Sequence, residues 1–164
     1  FRGQEDIPPE RKLTLGADVL TLVLPATNIM GFLTSTMGGR SCVNTFVEPK
    51  QRAEIKAEIL SSVAVKETMI PILADGRAIQ FSGFNGKVYV DERAAQASKT
   101  ARIIARRPVI AEPWSLSFGL MLAPTDYVTA VRLRDWFVQG GIAVGLGAFR
   151  PFFGKFEVAK WNEA

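Results

Sequence analysis

The sequence predicts an α+β fold in which an antiparallel sheet carries helices packed on one face. Three observations lead there. Apolar runs of strand length alternate with stretches of helical period, and the turn dipeptides Asp75-Gly76 and Asn85-Gly86 lead directly into strand-like runs. The last third is ordered as strand, helix, strand, loop, strand. With 164 residues, 48% of them apolar and 22% charged, the chain most simply makes one domain over residues 1–164. A domain of that size buries roughly 70% of its unfolded surface. Because the first residue is Phe1, the N-terminal part is expected to be trimmed or missing.

The elements follow in order. Leu13 to Leu24 alternates imperfectly and ends in the apolar run Val19 to Leu24, a strand that Pro25 ends, and Asn28 is placed to cap a short helix through about Thr36, stopped by Gly38-Gly39. Residues 19–39 carry no charge, but Pro25, Asn28 and five Thr or Ser residues interrupt them. A buried strand and helix are therefore expected, with no membrane partner. Pro49 opens a second helix with a body from Lys50 to about Val63. Thr68 to Leu73, Ala78 to Phe81 and Lys87 to Val90 are strands, Pro71 placing the first at an edge or bulge. Asp91 to Thr100 reads as an exposed linker. Ala101 to Ala105 is a strand with Pro108 after it, and Trp114 to Leu122 is another.

Thr125 caps a helix to about Val138, with Ala130, Leu133 and Phe137 facing the core and Tyr127, Val131 and Val138 beside them. Gly140-Gly141 ends it, and Ile142 to Leu146 and Lys155 to Lys160 close the chain as strands. This order matches the second half of a ferredoxin-like or RRM-like antiparallel sheet, the first half carrying insertions.

Composition narrows the chemistry. The chain has no histidine, which removes Ser-His-Asp and Cys-His nucleophile pairs, imidazole acid–base catalysis and imidazole-dependent zinc sites. Its one cysteine, Cys42, can form neither an internal disulfide nor a thiolate cluster. In Arg40-Ser41-Cys42-Val43 it reads as a small buried hydrophobe, one that fits a reducing cytoplasm. Asp91-Glu92 is an adjacent carboxylate pair beside a turn; Asp126 and Asp135 fall in and after a helix's first turn. No cofactor, no metal and no catalytic group is expected.

Two constellations remain. The loop from Gly145 to Phe156 offers the amides of Gly145 and Gly147, the cations Arg150 and Lys155, and the rings of Phe149, Phe152 and Phe153. Loop amides and basic side chains bind phosphate, and aromatic faces stack on bases. The same residues also fit a tight, aromatic-packed connection. The second constellation is basic: Arg93, Lys99, Arg102, Arg106 and Arg107 lie in fifteen residues, with no acid between Glu92 and Glu112. Arg102 and Arg106 share a strand face because their separation is even. Such a strip suits a phosphate backbone, and suits equally a charged, solvated strand edge.

The run Gly140-Gly141-Ile142-Ala143-Val144-Gly145-Leu146-Gly147, then Arg150, then Gly154-Lys155-Phe156-Glu157-Val158, resembles the terminal glycine-rich loop of the RAMP superfamily. These are ferredoxin-like RNA-binding proteins of CRISPR effectors. Arg106-Arg107-Pro108-Val109-Ile110 followed by Trp114 is similar to uncharacterised proteins of phages and other mobile elements. The likeness covers about residues 100–160. Only Gly154 stands where that loop commonly carries a Gly-hydrophobic-Gly pair. The resemblance implies its non-catalytic, backbone-forming branch, since RAMP nucleases often use histidine.

The expected function is therefore non-catalytic binding of single-stranded RNA or DNA through Arg102, Arg106, Arg107, Gly145, Gly147, Phe149, Arg150, Phe152 and Lys155. The protein would act in the host cytoplasm as a homo-oligomer or a ribonucleoprotein-like assembly. The alternative is a self-assembling or host-protein-binding phage protein, its aromatic loop and the apolar face of Val19 to Met37 serving as interface. A carboxylate–metal nuclease is a third, lesser reading.

Overall fold

A computed structural model describes residues 7–18, 20–35, 40–96, 102–147, 150 and 152–163. Its strands are β1 (Val23–Pro25), β2 (Val63–Val65), β3 (Met69–Pro71), β4 (Leu73–Ala74), β5 (Arg77–Ala78), β6 (Val88–Gln96), β7 (Arg102–Ile110) and β8 (Leu120–Leu122). Its helices are α1 (Ala26–Thr34), α2 (Cys42–Phe46), α3 (Arg52–Ser62) and α4 (Ala130–Ala143). The fold is α+β, and among the described residues the strands pair two by two: β1 with β3, β2 with β8, β4 with β5, β6 with β7. The wider sheet of a ferredoxin-like unit is not among these pairings. The chain forms two compact units, Phe1–Leu24 with Met69–Ser117, and Pro25–Thr68 with Phe118–Ala164.

The first unit is β-rich. Leu22 donates its amide to Ile79 and accepts from Ile72, and its side chain packs with Ile79 and Val88 in a core flanked by Leu13, Leu15, Ile72, Phe81 and Ile110. Asp75 and Gly76 both adopt positive φ (50° and 75°) and close the β4–β5 hairpin, as the dipeptide predicts. Asn85 turns the chain into β6 by accepting the amides of Lys87 and Val88 on its side-chain oxygen.

The β6–β7 ribbon departs from expectation. Its register runs from Val88↔Ile110 to Gln96↔Arg102, so residues 91–96 are strand rather than linker. Cross-strand partners settle this against the weak β-propensity of Ala94, Ala95 and Gln96. Positions 97–100 lie outside the described residues. Pro108 does not end a strand either. The bond from the Ala111 amide to the Lys87 carbonyl sets the alternation, which places Pro108, opposite Val90, at a position that donates nothing to the ladder.

The second unit holds the helices. Pro25, not Asn28, precedes the first turn of α1. Ser41 caps α2 by accepting the Asn44 amide at 3.2 Å, and Pro49 opens a 3-10 turn that runs into α3. Only the strip Ile55, Ile59 and Ser62 of α3 is buried. Thr129 caps α4, while Thr125 shapes the turn before it, accepting the Val128 amide.

Helix α4 continues through Gly140-Gly141 and takes up the start of the strand expected from Ile142. The glycines let neighbours approach the helix where a side chain would block them. A Cβ at Gly140 would lie 2.7 Å from Phe32 Cζ and 2.8 Å from Cys42 Sγ. At Gly141 the Phe156 backbone fills that space, and the Phe156 amide donates to the Gly141 carbonyl. Residues 155–160 are therefore a strap along α4, not a ladder strand. Phe156 packs on Phe32 (centroids 5.4 Å) and Trp161 on Phe137 (5.8 Å). The core face of α4 is Leu133, Trp136 and Phe137; Val131 and Val138 turn outward, 66% and 47% exposed. Of the expected strand from Trp114 to Leu122, Leu120–Leu122 pair with β2 and Ser115 bridges to Leu73. No helix among the described residues is long and apolar enough to cross a membrane.

Candidate nucleic-acid interface

Strand β7 alternates its faces, and the alternation sorts the arginines. Arg102, Ile104 and Arg106 share an exposed face, with Ile104 66% exposed between the two cations. Arg107 stands on the other face, opposite Asp91 and partly covered, so it does not join Arg102 and Arg106 as one strip. Arg106 Nε is 2.6 Å from Glu92 Oε1 across the ribbon, with both side chains about half exposed. Arg93 Nε is 2.8 Å from Asp91 Oδ1 on the same strand. The acids of β6 thus offset part of the charge that is concentrated in the sequence. The exposed Arg106–Glu92 pair is worth at most about 1 kcal/mol, so a phosphate competes for Arg106 at little cost.

The fold adds two cations that sequence order keeps remote. The 3-10 turn Pro9–Lys12 packs against β7, and Lys12 Nζ donates to the Arg106 carbonyl at 3.0 Å. Arg11, exposed, sits beside it in the same turn. The basic pair Arg11-Lys12 is visible in the sequence, but Glu10 precedes it and about ninety residues separate it from Arg106. Only tertiary pairing joins them.

The glycine-rich loop belongs to the second unit, and much of it is packing. Gly145 (φ 75°) is buried, and its amide donates to the Gly140 carbonyl at 2.9 Å, closing α4. That amide is committed, so Gly145 is not a phosphate donor in this conformation. Gly154 accepts the Leu146 amide at 2.8 Å and abuts the Leu146 backbone. Gly147 (φ 86°) is exposed with open space around it, the one expected loop amide that a ligand can approach. Phe152 is 76% exposed and Lys155 is exposed, while Arg150 is half-buried. Phe149 lies outside the described residues.

Desolvation lowers the Arg150 pKa, an effect the nearby Cys42 sulfur opposes. Burial pushes the Cys42 thiol well above the ordinary range, with Arg150 pulling the other way. Cys42 is fully buried, and its Sγ donates to the Trp136 carbonyl at 3.6 Å. It is a packed neutral thiol, not a nucleophile.

The two constellations therefore stand on different units. Among the described residues no group of three Cys, Asp or Glu side chains is placed to hold a metal ion. No family model matches the chain, and no curated protein or solved structure is similar to it.

Proposed function

We propose that the protein is a non-catalytic nucleic-acid-binding protein whose primary contact surface is the exposed face of β7. The observation that carries this reading is that Arg102 and Arg106 flank the solvent-facing Ile104 on one face of β7, while Lys12, from the remote basic turn that also holds Arg11, reaches the Arg106 carbonyl. Cations contact phosphates, and an exposed apolar side chain between them meets a sugar or base. Gly147, Phe152 and Lys155 offer a second, independent contact; Arg107, Arg150 and Phe149 complete the wider set in this reading. Single-stranded RNA or DNA is the expected ligand, bound in the cytoplasm of a host cell by repeated copies of a phage or mobile-element protein. Kinship with the ferredoxin-like RAMP proteins rests on the loop residues alone, and the two-by-two strand pairing gives it no support.

The test is fluorescence anisotropy with labelled single-stranded RNA and DNA oligomers across a salt series. Affinity should fall with a log–log slope of about 0.7 per phosphate contact. The double variant Arg102→Glu/Arg106→Glu should shallow that slope. The absence of binding at low salt, or an unchanged slope in the variant, defeats the reading. One observation favours self-assembly instead: Val131, Val138 and Ile142 of α4 are all exposed, at spacings of seven and four residues that place them on one helix face.

A further inference from the structure

The two outer edges of the β6–β7 ribbon are not equivalent. The register directs the amides and carbonyls of Arg102, Ile104 and Arg106 outward on β7, and those of Val90, Glu92 and Ala94 outward on β6. The β7 edge is blunted: Lys12 Nζ occupies the Arg106 carbonyl, and Pro108, also at an outward position, has no amide to offer. On β6 the outward groups of Val88 are taken by the Asn85 turn. Beyond that point β6 pairs with β7 alone, and no described residue bonds to the outward groups of Val90, Glu92 and Ala94. An edge of this kind is a template for another strand.

We infer that this edge receives β6 of a second copy of the chain, antiparallel about a two-fold axis through Glu92. The charge pattern selects that register. Residues i and 184 − i then oppose, which sets Val90 against the partner copy's Ala94 position and Asp91 against its Arg93 position, twice over. Asp91 and Arg93 fall at non-hydrogen-bonded sites, where opposing side chains come closest, and opposite charges there stabilise the pair. The two Glu92 carboxylates that meet at the axis are each already held by their own Arg106 at 2.6 Å. The pairing is isologous and closes on itself, giving a dimer built on a four-stranded β7–β6–β6–β7 sheet. It does not require the nucleic-acid reading, although both use Arg106, so it is tested on protein alone.

Sedimentation velocity and light scattering on the whole chain, without nucleic acid, test it. The wild type should shift from 18.0 kDa to twice that mass as concentration rises toward about 0.2 mM. Ala94→Pro removes one outward amide and should weaken the dimer at least tenfold. Proline stands at the equivalent outward class of position on β7, so the ribbon itself keeps its ladder. Arg93→Glu sets like charges opposite each other without touching the backbone and should weaken the dimer similarly, with far-UV circular dichroism unchanged. A wild type that stays monomeric throughout overturns the inference. So does a dimer that survives Arg93→Glu, whatever Ala94→Pro does to folding.

Discussion

Replacing Gly140 with alanine tests the central packing of the second unit, because two effects of opposite sign compete. In a solvent-facing helix interior the change stabilises by roughly 0.4–1 kcal/mol, since glycine has more conformational freedom to lose. At Gly140 the new methyl would lie 2.7 Å from Phe32 Cζ, 2.8 Å from Cys42 Sγ and 3.1 Å from Phe32 Cε2. Carbon pairs pack at about 3.5–4.0 Å, so both neighbours must retreat by close to 1 Å. Neither has room. Phe32 and Cys42 are fully buried, and Phe32 is already wedged between Phe137 (5.2 Å between centroids) and Phe156. Overpacking of this kind costs about 1–3 kcal/mol, which outweighs the helix gain.

Urea denaturation followed by tryptophan fluorescence should therefore show a net loss of about 1–2 kcal/mol. Gly31→Ala is the control: it lies inside α1 with nothing within 4 Å of the added Cβ, and it should gain up to about 1 kcal/mol. Adding Phe32→Leu should make Gly140→Ala less harmful than it is alone, because leucine lacks the Cζ atom. If Gly140→Ala is as stable as wild type or more so, α4 does not pack on Phe32 and Cys42 as described.

Three further outcomes follow from the same unit. Thr129→Ala should cost about 1 kcal/mol in denaturant unfolding by removing the cap on the Arg132 amide. Leu133→Ala should cost about 2–5 kcal/mol, whereas Val131→Ala on the outward face should change stability by less than about 0.5 kcal/mol; equal losses would mean the face assignment is wrong. Because the folded Cys42 thiol ionises only far above its ordinary value, its contribution is intact below about pH 9. As pH rises further the unfolded chain sheds a proton that the folded one keeps. That thiol therefore contributes a decline of about 1.4 kcal/mol per pH unit, which Cys42→Ala should abolish in a pH series of urea melts.

The features legible in the sequence were those with local causes. Asp75-Gly76 needs two positive φ angles in succession, and Pro49 can begin a helix but not continue one, so both announce their conformation without reference to the rest of the chain. Two caps shift by a few residues for local reasons, Pro25 for Asn28 and Thr129 for Thr125, but the larger departures have distant causes. Ala94 to Gln96 become strand because β7 lies alongside; Pro108 is tolerated because of its ladder register; Gly140-Gly141 stay helical because Phe32, Cys42 and Phe156 press close. The candidate site divides in the same way. The even spacing of Arg102 and Arg106 is a local fact, whereas the contribution of Arg11 and Lys12 depends on a turn docking against a strand some ninety residues away.

The division into two units has a consequence for how the chain acquires its structure. The first unit is assembled from Phe1–Leu24 and Met69–Ser117, the second from Pro25–Thr68 and Phe118–Ala164, so the backbone passes between them three times. During synthesis Leu22 must wait for Ile72, Ile79 and Val88 while the whole of 25–68 is made, and Phe32 and Cys42 must wait in turn for α4. Neither unit is a contiguous stretch that can be expressed by itself. Each closes a long loop before its native contacts form, which favours slow, cooperative folding and leaves apolar strands such as Leu22 to Leu24 exposed to wrong partners in the interval.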